Sequence, residues 1–585
     1  MARKPFEGAT RRLLLAFDIG TTFSGVSYSI MDPGEVPEIR TVTRFPAQAQ
    51  SGGDCKIPSI IYYDTQGKVC VVGAEATAEG IEEQAEDNGW FKAEWFKLHL
   101  RPQGQRSNLL GPAIPPLPPR KTALQLFADY MKYLFDCSET YIKETHTSGD
   151  LLWNTLKDDI LFVLTHPNGW EGPQQTQMRR AAVQAGLVSD SEEGHARVMF
   201  VTEGEASLHF CINNGLSGDG LESGKGVVIV DAGGGTIDVS AYQGRGGVFN
   251  EISAAQCHFQ GSVFVTSRAE EYMKQHLNGT RFEADIPVIV KRFDTRTKHT
   301  FRSDSEMQFI QFGSPRETDL ALDIRRGQMK LKGSVVAGFF EPSIKCIVGA
   351  VEEQMANRHY PISTVFLVGG FAASDWLYNQ VKNRLERRGV KVFRPDTHTN
   401  KAVSDGAASF YLDHLVGTRV SKFDYGLNSF VFFDPYDPEH FKRRSKMREH
   451  SITRHLILND CFSVILFRGT QVAERTEFRG RYDHWLKPNE DLTQFRVYIQ
   501  CYRGDGPCPE WMDGEDSNSF SQVCCVTADV SSIVPAWQFS PLTGQYHSRI
   551  AFDVVLLFGL TELRAQIAWM VNGVEKRGPA KIVYL

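Results

Sequence analysis

The sequence predicts an α/β fold followed by an all-β domain, and three features carry that expectation. The stretch GVVIVDAGGGTIDVSAY, Gly226 to Tyr242, joins an apolar run to an acid and three glycines. The stretch from Leu13 to Ile30 repeats the same order of apolar run, acid, small-residue turn and returning run. Beyond about residue 418, short strand-like runs alternate with turns and helical periodicity nearly vanishes, the pattern of a β domain.

Val227 to Val230 are β-branched and apolar throughout, as in a strand covered on both faces, and the run ends at Asp231. Gly233, Gly234 and Gly235 follow; without Cβ atoms they let backbone N–H groups converge on an anion such as a phosphate. Thr236 and Asp238 then alternate with Ile237 and Val239, so a second strand leaves the turn. This is a hairpin, unlike the strand, turn and helix of a Walker or Rossmann loop. Taken alone it also describes an ordinary glycine-rich hairpin. The copy near the start of the chain changes the reading: Leu13 to Phe17, then Asp18, Gly20, Thr21 and Thr22, then Phe23 to Ile30. Two such hairpins can face each other across one nucleotide, each bringing a carboxylate to the metal side and amides to the phosphate side.

A chain of 585 residues exceeds one core, so two or more domains are expected. The expected division is a disordered lead-in at 1–11, a nucleotide-binding domain at 12–418 and a β-rich domain at 419–585. Hydrophobic content of 42%, charged content of 23% and a net charge of -6 describe a globular protein with no electrostatic case for nucleic acid or an acidic membrane. No apolar run approaches the roughly 20 residues of a bilayer span, and the five apolar residues after Arg12 are too few for a signal peptide. Eleven cysteines without paired spacing suggest reduced thiols and a cytoplasmic setting. Cys501, Cys508, Cys524 and Cys525 lie near one another, yet no C-x-x-C pair or neighbouring His completes a zinc set.

In chain order, Lys56 to Tyr63 reads as a strand and Glu79 to Asn88 as an acidic helix. WFKAEWFKLHL, Trp90 to Leu100, reads by itself as an amphipathic packing element with snorkelling Lys92 and Lys97. Arg101 to Arg120, rich in Pro and Gly, is a loop or polyproline stretch. Lys121 to Thr145 has helical spacing; Ile160 to Thr165 is a strand, Pro173 to Ala185 a helix, and Val198 to Thr202 a strand delivering Glu203 where open α/β sheets bind ligands. The glycine-punctuated NNGLSGDGLESGKG leads into the second hairpin. Val248 to Cys257 and Phe264 to Leu277 read as strand and helix with Gly261 between them, and Ile286 to Phe293 carries Lys291 and Arg292. Phe339 to Met355 is a helix, Thr364 to Val368 a buried strand, Gly369-Gly370 a tight turn into the helix Trp376 to Arg388, and Val403 to Leu415 a last helix with Ser404 and Asp405 as its cap.

DIGTTFS, TEGEAS, VDAGGGTIDVS, FLVGGF and VSDGAA, in this order and at these intervals, resemble the nucleotide-binding domain of the seventy-kilodalton heat-shock proteins. The chain is most similar to a divergent actin-like ATPase branch of that family common in fungi. The resemblance covers about residues 12 to 416 and implies a ribonuclease H-like, actin-like domain of two lobes with ATP or ADP and Mg²⁺ in the cleft. It implies that Asp18, Gly20, Thr21, Thr22 and Phe23 form the first phosphate loop, with Asp18 holding Mg²⁺ through water. Gly233, Gly234, Gly235 and Thr236 match the second loop, and Asp231 and Asp238 the carboxylates near metal and attacking water. Lys97 is similar to the lysine that orients that water, and Glu203 to its general base. Gly261, Gly369 and Gly370 match positions near ribose and α-phosphate, and Lys291 and Arg292 a basic pair packing on adenine. Three departures stand out: Val288 replaces an acid one turn before that pair, QGSV at Gln260 to Val263 replaces an acidic turn, and VGTRVSKFDYG replaces the coupling linker, with no helical lid after it.

The functional expectation is a slow ATPase of heat-shock type whose partners are unfolded polypeptides or a regulatory protein, with no nucleic acid and no membrane. A small-molecule kinase of the same fold, or a nucleotide-gated interaction module with negligible hydrolysis, are the alternatives.

Overall fold

The computed structural model describes residues 3–48, 55–102, 114–214, 224–356, 360–395, 401–559 and 562–582, in two compact units, Met1–Val416 and Gly417–Leu585. The Pro-rich segment at 103–113 and the glycine-punctuated segment at 215–223 lie outside the described residues.

The first unit is a mixed α/β structure with two sheets laid out on one plan. In the first, the antiparallel hairpin Arg12–Ile19 and Phe23–Met31 continues through the parallel strands Leu161–His166 and Val198–Thr202. In the second, the hairpin Gly226–Ala232 and Ile237–Arg245 continues through the parallel strands Ile362–Val368 and Lys391–Phe393. The inner strands are buried on both faces, which is why they read as unbroken apolar runs rather than alternating ones. Each sheet has its own core. Leu13, Leu15 and Phe17 pack with Leu126, Phe127 and Met131 of the helix Ala123–Thr145; Val228, Val230 and Val239 pack with Phe340, Ile344 and Ile347 of the helix Gly333–Met355. The Ala123–Thr145 helix starts in a capping box, Thr122 with Gln125. Between the sheets the helices Glu203–Asn213 and Ala402–Asp413 cross so closely that a Cβ on Gly406 would stand 1.8 Å from Ala206 O.

Four expectations are corrected. The lead-in at 1–11 is tied down from Arg3 onward: Arg3 forms an ion pair with Asp413 at 2.7 Å and bonds Pro37 O, while Phe6 exchanges backbone hydrogen bonds with Gly34 and Glu35. Ser404 and Asp405 lie inside the last helix, whose first flanking residue is Lys401, and do not cap it. Their side chains instead take hydrogen bonds from Ser27 Oγ at 2.9 and 2.6 Å, and Asp405 also from Thr41 Oγ1 at 2.9 Å, a tertiary use invisible in local spacing. Trp90 to Leu100 divides into a strand, Phe91–Glu94, and a 3-10 turn, Phe96–Leu100, in which Lys97 is buried with its ammonium on Glu203, so it does not snorkel. The helix Gly333–Met355, with a window of mean hydropathy 1.5, does have the length and composition of a bilayer span. Its apolar face, Val336, Phe340, Ile344, Ile347 and Val351, is spent on the second sheet, and Glu341 on another side pairs with Arg384 at 2.7 Å.

The second unit consists of strands with one short helix, Pro438–Lys442, and 3-10 turns among the described residues. Asp424–Phe432, Leu456–Leu466, Phe495–Tyr502 and Phe520–Ala528 lie in one antiparallel sheet, and Glu477–Leu486, Gln545–Gly559 and Glu562–Val571 in another. Ile499, Val526, Val554, Leu556 and Ile567 from the two sheets share a core. Among the described residues no three His, Cys, Asp or Glu side chains group as a metal centre, and no disulfide is formed.

Candidate functional site

Asp18 ends the inner strand of the first sheet and Asp231 the inner strand of the second, so the common plan delivers one buried carboxylate from each. The turn after Asp18 is held from outside: Ser59 N–H donates to Thr22 O and Ser59 Oγ to Gly20 O, both at 2.8 Å. Phe23, the last residue of that match, is half exposed on the returning strand. The turn after Asp231 closes when Gly233 N–H donates to Thr236 O at 2.9 Å.

Three consecutive amides at the start of the helix Ser262–Leu277 orient the glycine run. Gly261, Ser262 and Val263 N–H groups donate to the carbonyls of Gly235, Gly233 and Gly234 at 3.2, 3.1 and 3.0 Å. A planar trans peptide holds its C=O and N–H on opposite sides, so the N–H groups of Gly234, Gly235 and Thr236 turn away from that helix. The side-chain positions of Gly234 and Gly235 face the first loop. A Cβ on Gly234 would stand 2.3 Å from Thr22 Oγ1, and one on Gly235 2.4 Å from Thr21 Oγ1, which is why neither position tolerates a side chain. Gly369 serves a related purpose: its φ is +91°, and a Cβ there would stand 2.4 Å from Asp231 Oδ1. Gly370 has open space around it.

Between the loops lies a set of buried charges. Lys97 Nζ contacts Glu203 Oε1 at 2.5 Å and lies over the Trp170 ring at 5.6 Å. Burial works to lower the Lys97 pKa, but Glu203, Asp18 and Asp238 outweigh it and hold the ammonium charged. Glu203 opens the helix Glu203–Asn213, which Thr202 caps by accepting Glu205 N–H at 3.2 Å. Asp231 and Asp238 are direct cross-strand partners, so two carboxyls crowd one spot. Asp231 Oδ2 accepts a hydrogen bond from the Ser207 hydroxyl at 2.6 Å, and its pKa is pushed up to about 7 by burial and by Glu203. Asp238 accepts the Asn168 backbone N–H at 2.6 Å through Oδ1, while its buried Oδ2 has no hydrogen-bond partner. Burial, then Glu203, raises it to about 8.

Sequence reasoning missed four members of this site. Lys56 binds Asp18 Oδ2, Thr165 Oγ1 donates to Asp18 Oδ1 at 3.1 Å, and Ser207 meets Asp231 as described. Asn168 joins the helix Glu203–Asn213 to the second hairpin, accepting Gly204 N–H at 3.2 Å and donating to Ser240 Oγ at 2.9 Å. Its one signal was position, immediately after the strand that ends at His166-Pro167. Lys291 and Arg292 lie on an exposed helix, Ile286–Arg292, where the Lys291 ammonium contacts Glu82 at 2.6 Å.

The residues fit a divalent cation and a polyphosphate. Asp18, Glu203, Asp231 and Asp238 carry four negative charges when ionised, against two positive charges on Lys56 and Lys97. The remaining two are what a divalent cation supplies, and the unpartnered Asp238 Oδ2 is an acceptor left open. Since no three ligating side chains group directly among the described residues, such a cation would be held through water and phosphate oxygens.

Matches to heat shock 70 kDa proteins run along most of the chain. Heat shock 70 kDa protein 12A of Mus musculus is 24% identical over 524 residues, spanning 73% of this chain and 74% of that protein. Heat shock 70 kDa protein 12B of Homo sapiens is 24% identical over 514 residues, 72% of each. Chaperone protein DnaK of Thermosipho melanesiensis is 26% identical over 246 residues, 39% of this chain and 37% of that one. This chain is a divergent heat-shock-70-like protein. No family model matches it. The mixed α/β architecture with several sheets agrees with those relatives.

Proposed function

We propose that the chain binds ATP and hydrolyses it slowly, as a chaperone-like protein of the heat-shock 70 type. The first unit serves as a two-lobed, actin-like domain, each lobe on one sheet, with the crossing helices Glu203–Asn213 and Ala402–Asp413 as the hinge. The observation that carries this reading is the buried cross-strand pair Asp231 and Asp238, with Asp238 Oδ2 unpartnered, beside two abutting small-residue turns.

In this reading Thr21, Thr22 and the N–H groups of Gly234 to Thr236 bind the β- and γ-phosphates from the two sides. Mg²⁺, held through water by Asp18 and Asp231, would supply the positive charge that the phosphate oxygens and these carboxylates need. Lys97 holds Glu203 in place and aims it at a water beside the γ-phosphate, and Glu203 accepts that water's proton as attack begins. Asp238 stands next to the same water and fixes its orientation through its open oxygen. Burial of the whole set excludes bulk water, so each of these interactions acts at low dielectric. Gly261, Gly369 and Gly370 give the backbone room beside ribose and α-phosphate, and the stems of Lys291 and Arg292 border adenine. Hydrolysis switches lobe closure, and the strand-built second unit binds unfolded polypeptide or a regulatory protein.

The test is phosphate release from ATP by the purified chain, with and without an unfolded polypeptide. Slow release that depends on Mg²⁺ and on Glu203 supports the reading. Release that requires a sugar or small acid makes the chain a kinase, and ATP binding with no release makes it a nucleotide-gated module.

A further inference from the structure

Lys56 has no part in the site as read from the sequence, and its placement is dictated by strand register. The short strand Ile57–Pro58 pairs antiparallel with the returning strand of the first hairpin, Ser24 opposite Ile57 and Phe23 opposite Pro58. One step further along, this register sets Lys56 opposite Gly25, and Gly25 is in turn the cross-strand partner of Asp18. Asp18, Gly25 and Lys56 thus form one row across three strands. Gly25 has no side chain to fill the middle of that row; a Cβ there would stand 3.1 Å from Lys56 Cγ. The lysine stem therefore lies across Gly25 and brings its ammonium onto Asp18 Oδ2, with the Lys56 side chain only 16% exposed.

The consequence concerns charge. Asp18 is the carboxylate that stands on the metal side of the first phosphate loop, and here it already has a cation. An ammonium has three N–H donors, so contact with one carboxylate oxygen leaves donors for a phosphate oxygen entering beside Thr21 and Thr22. A fixed ammonium and a divalent cation on one carboxylate also repel each other.

We propose that Lys56 is a built-in counter-cation of the nucleotide site, which contacts a phosphate of the bound nucleotide and takes over part of the charge balance otherwise left to Mg²⁺. This inference rests on the nucleotide-binding reading above. Binding of ADP by this chain then depends only weakly on Mg²⁺, and the dependence belongs to Lys56 rather than to the fold.

Calorimetric titration of the full-length chain with ADP, in excess Mg²⁺ and in excess chelator, tests it, alongside Lys56→Met and Lys56→Arg. The wild-type chain should retain ADP affinity in chelator. In Lys56→Met the ratio of the two dissociation constants should widen by about tenfold or more, the value of one charge-assisted hydrogen bond, and Lys56→Arg should restore most of it. Thermal melts of the three proteins check that each is folded. An unchanged ratio in folded Lys56→Met overturns the role of Lys56 while leaving nucleotide binding intact. No ADP binding by the wild-type chain in either condition overturns the nucleotide reading itself, and this inference with it.

Discussion

The hairpin that carries Asp18 and the hairpin that carries Asp231 share an order of residues and a place in their sheets, but differ in how their charge is met. Asp18 accepts hydrogen bonds from an ammonium and a hydroxyl, Lys56 and Thr165. The second hairpin places two carboxyls opposite each other, met by the Ser207 hydroxyl and the Asn168 amide, and both are pushed far above the usual carboxylate range. The difference teaches that sequence symmetry between the loops is not electrostatic symmetry. The first loop's carboxylate is met by an ammonium in direct contact, and the second loop's two carboxyls are met by neutral donors.

Lys97 is a buried cation whose field reaches both hairpins, since Glu203, Asp18 and Asp238 all raise its pKa against the effect of burial. Replacing it with Met leaves Glu203 buried beside two further carboxyls. We expect a stability loss of about 3 to 5 kcal/mol, the range for breaking a buried pair on one side, read by denaturant unfolding. A loss under about 1 kcal/mol would mean that water reaches the pair. Next in size, Asp231→Asn should leave the fold intact while cutting ATP hydrolysis by on the order of 10² or more, as for a preorganised group at the reacting centre. Unchanged turnover would remove the second hairpin from the chemistry.

Gly234→Ala tests the contact between the loops, since its Cβ would stand 2.3 Å from Thr22 Oγ1. ADP affinity should fall by roughly tenfold for a displacement costing about 1.4 kcal/mol. Gly338→Ala, in a helix with open space around the glycine, should leave affinity unchanged and stabilise slightly. Equal effects at both positions would show that the loops do not need to touch.

A last test is one of pH. With folded-state values of about 7 for Asp231 and about 8 for Asp238, the folded chain binds more protons than the unfolded chain between about pH 4 and 8. Stability of the ligand-free chain should therefore fall as pH rises through that window, with no such penalty below it and the full penalty above it. Asp238→Asn should flatten the slope, and melting temperatures across pH 4 to 9 would expose a slope of the opposite sign.

How much was legible in the sequence follows from what each feature depends on. The two hairpins were readable because a doubly buried strand must be apolar along its length, and because an acid followed by glycines marks where it stops. The 3.6-residue period placed the long helices, although Gly333–Met355 begins six residues before its apolar run suggested. Lys97 and Glu203 became candidates through the family resemblance, and the structure joins them in one ion pair. Lys56, Asn168 and Ser207 were not legible, because each reaches the site through register or helix placement fixed by distant strands. Asp405 misled for the same reason: a residue type suited to a helix cap was taken up by Ser27 and Thr41, more than 360 positions away.

The account turns on both loops gripping one polyphosphate. A structure determined with ADP, Mg²⁺ and inorganic phosphate tests it most directly. The expected result places phosphate oxygens within hydrogen-bond distance of Thr21 or Thr22 on one side and of the Gly234 to Thr236 amides on the other, with the metal's water shell on Asp18 and Asp231. Nucleotide bound to one loop alone, or elsewhere on the chain, would contradict it.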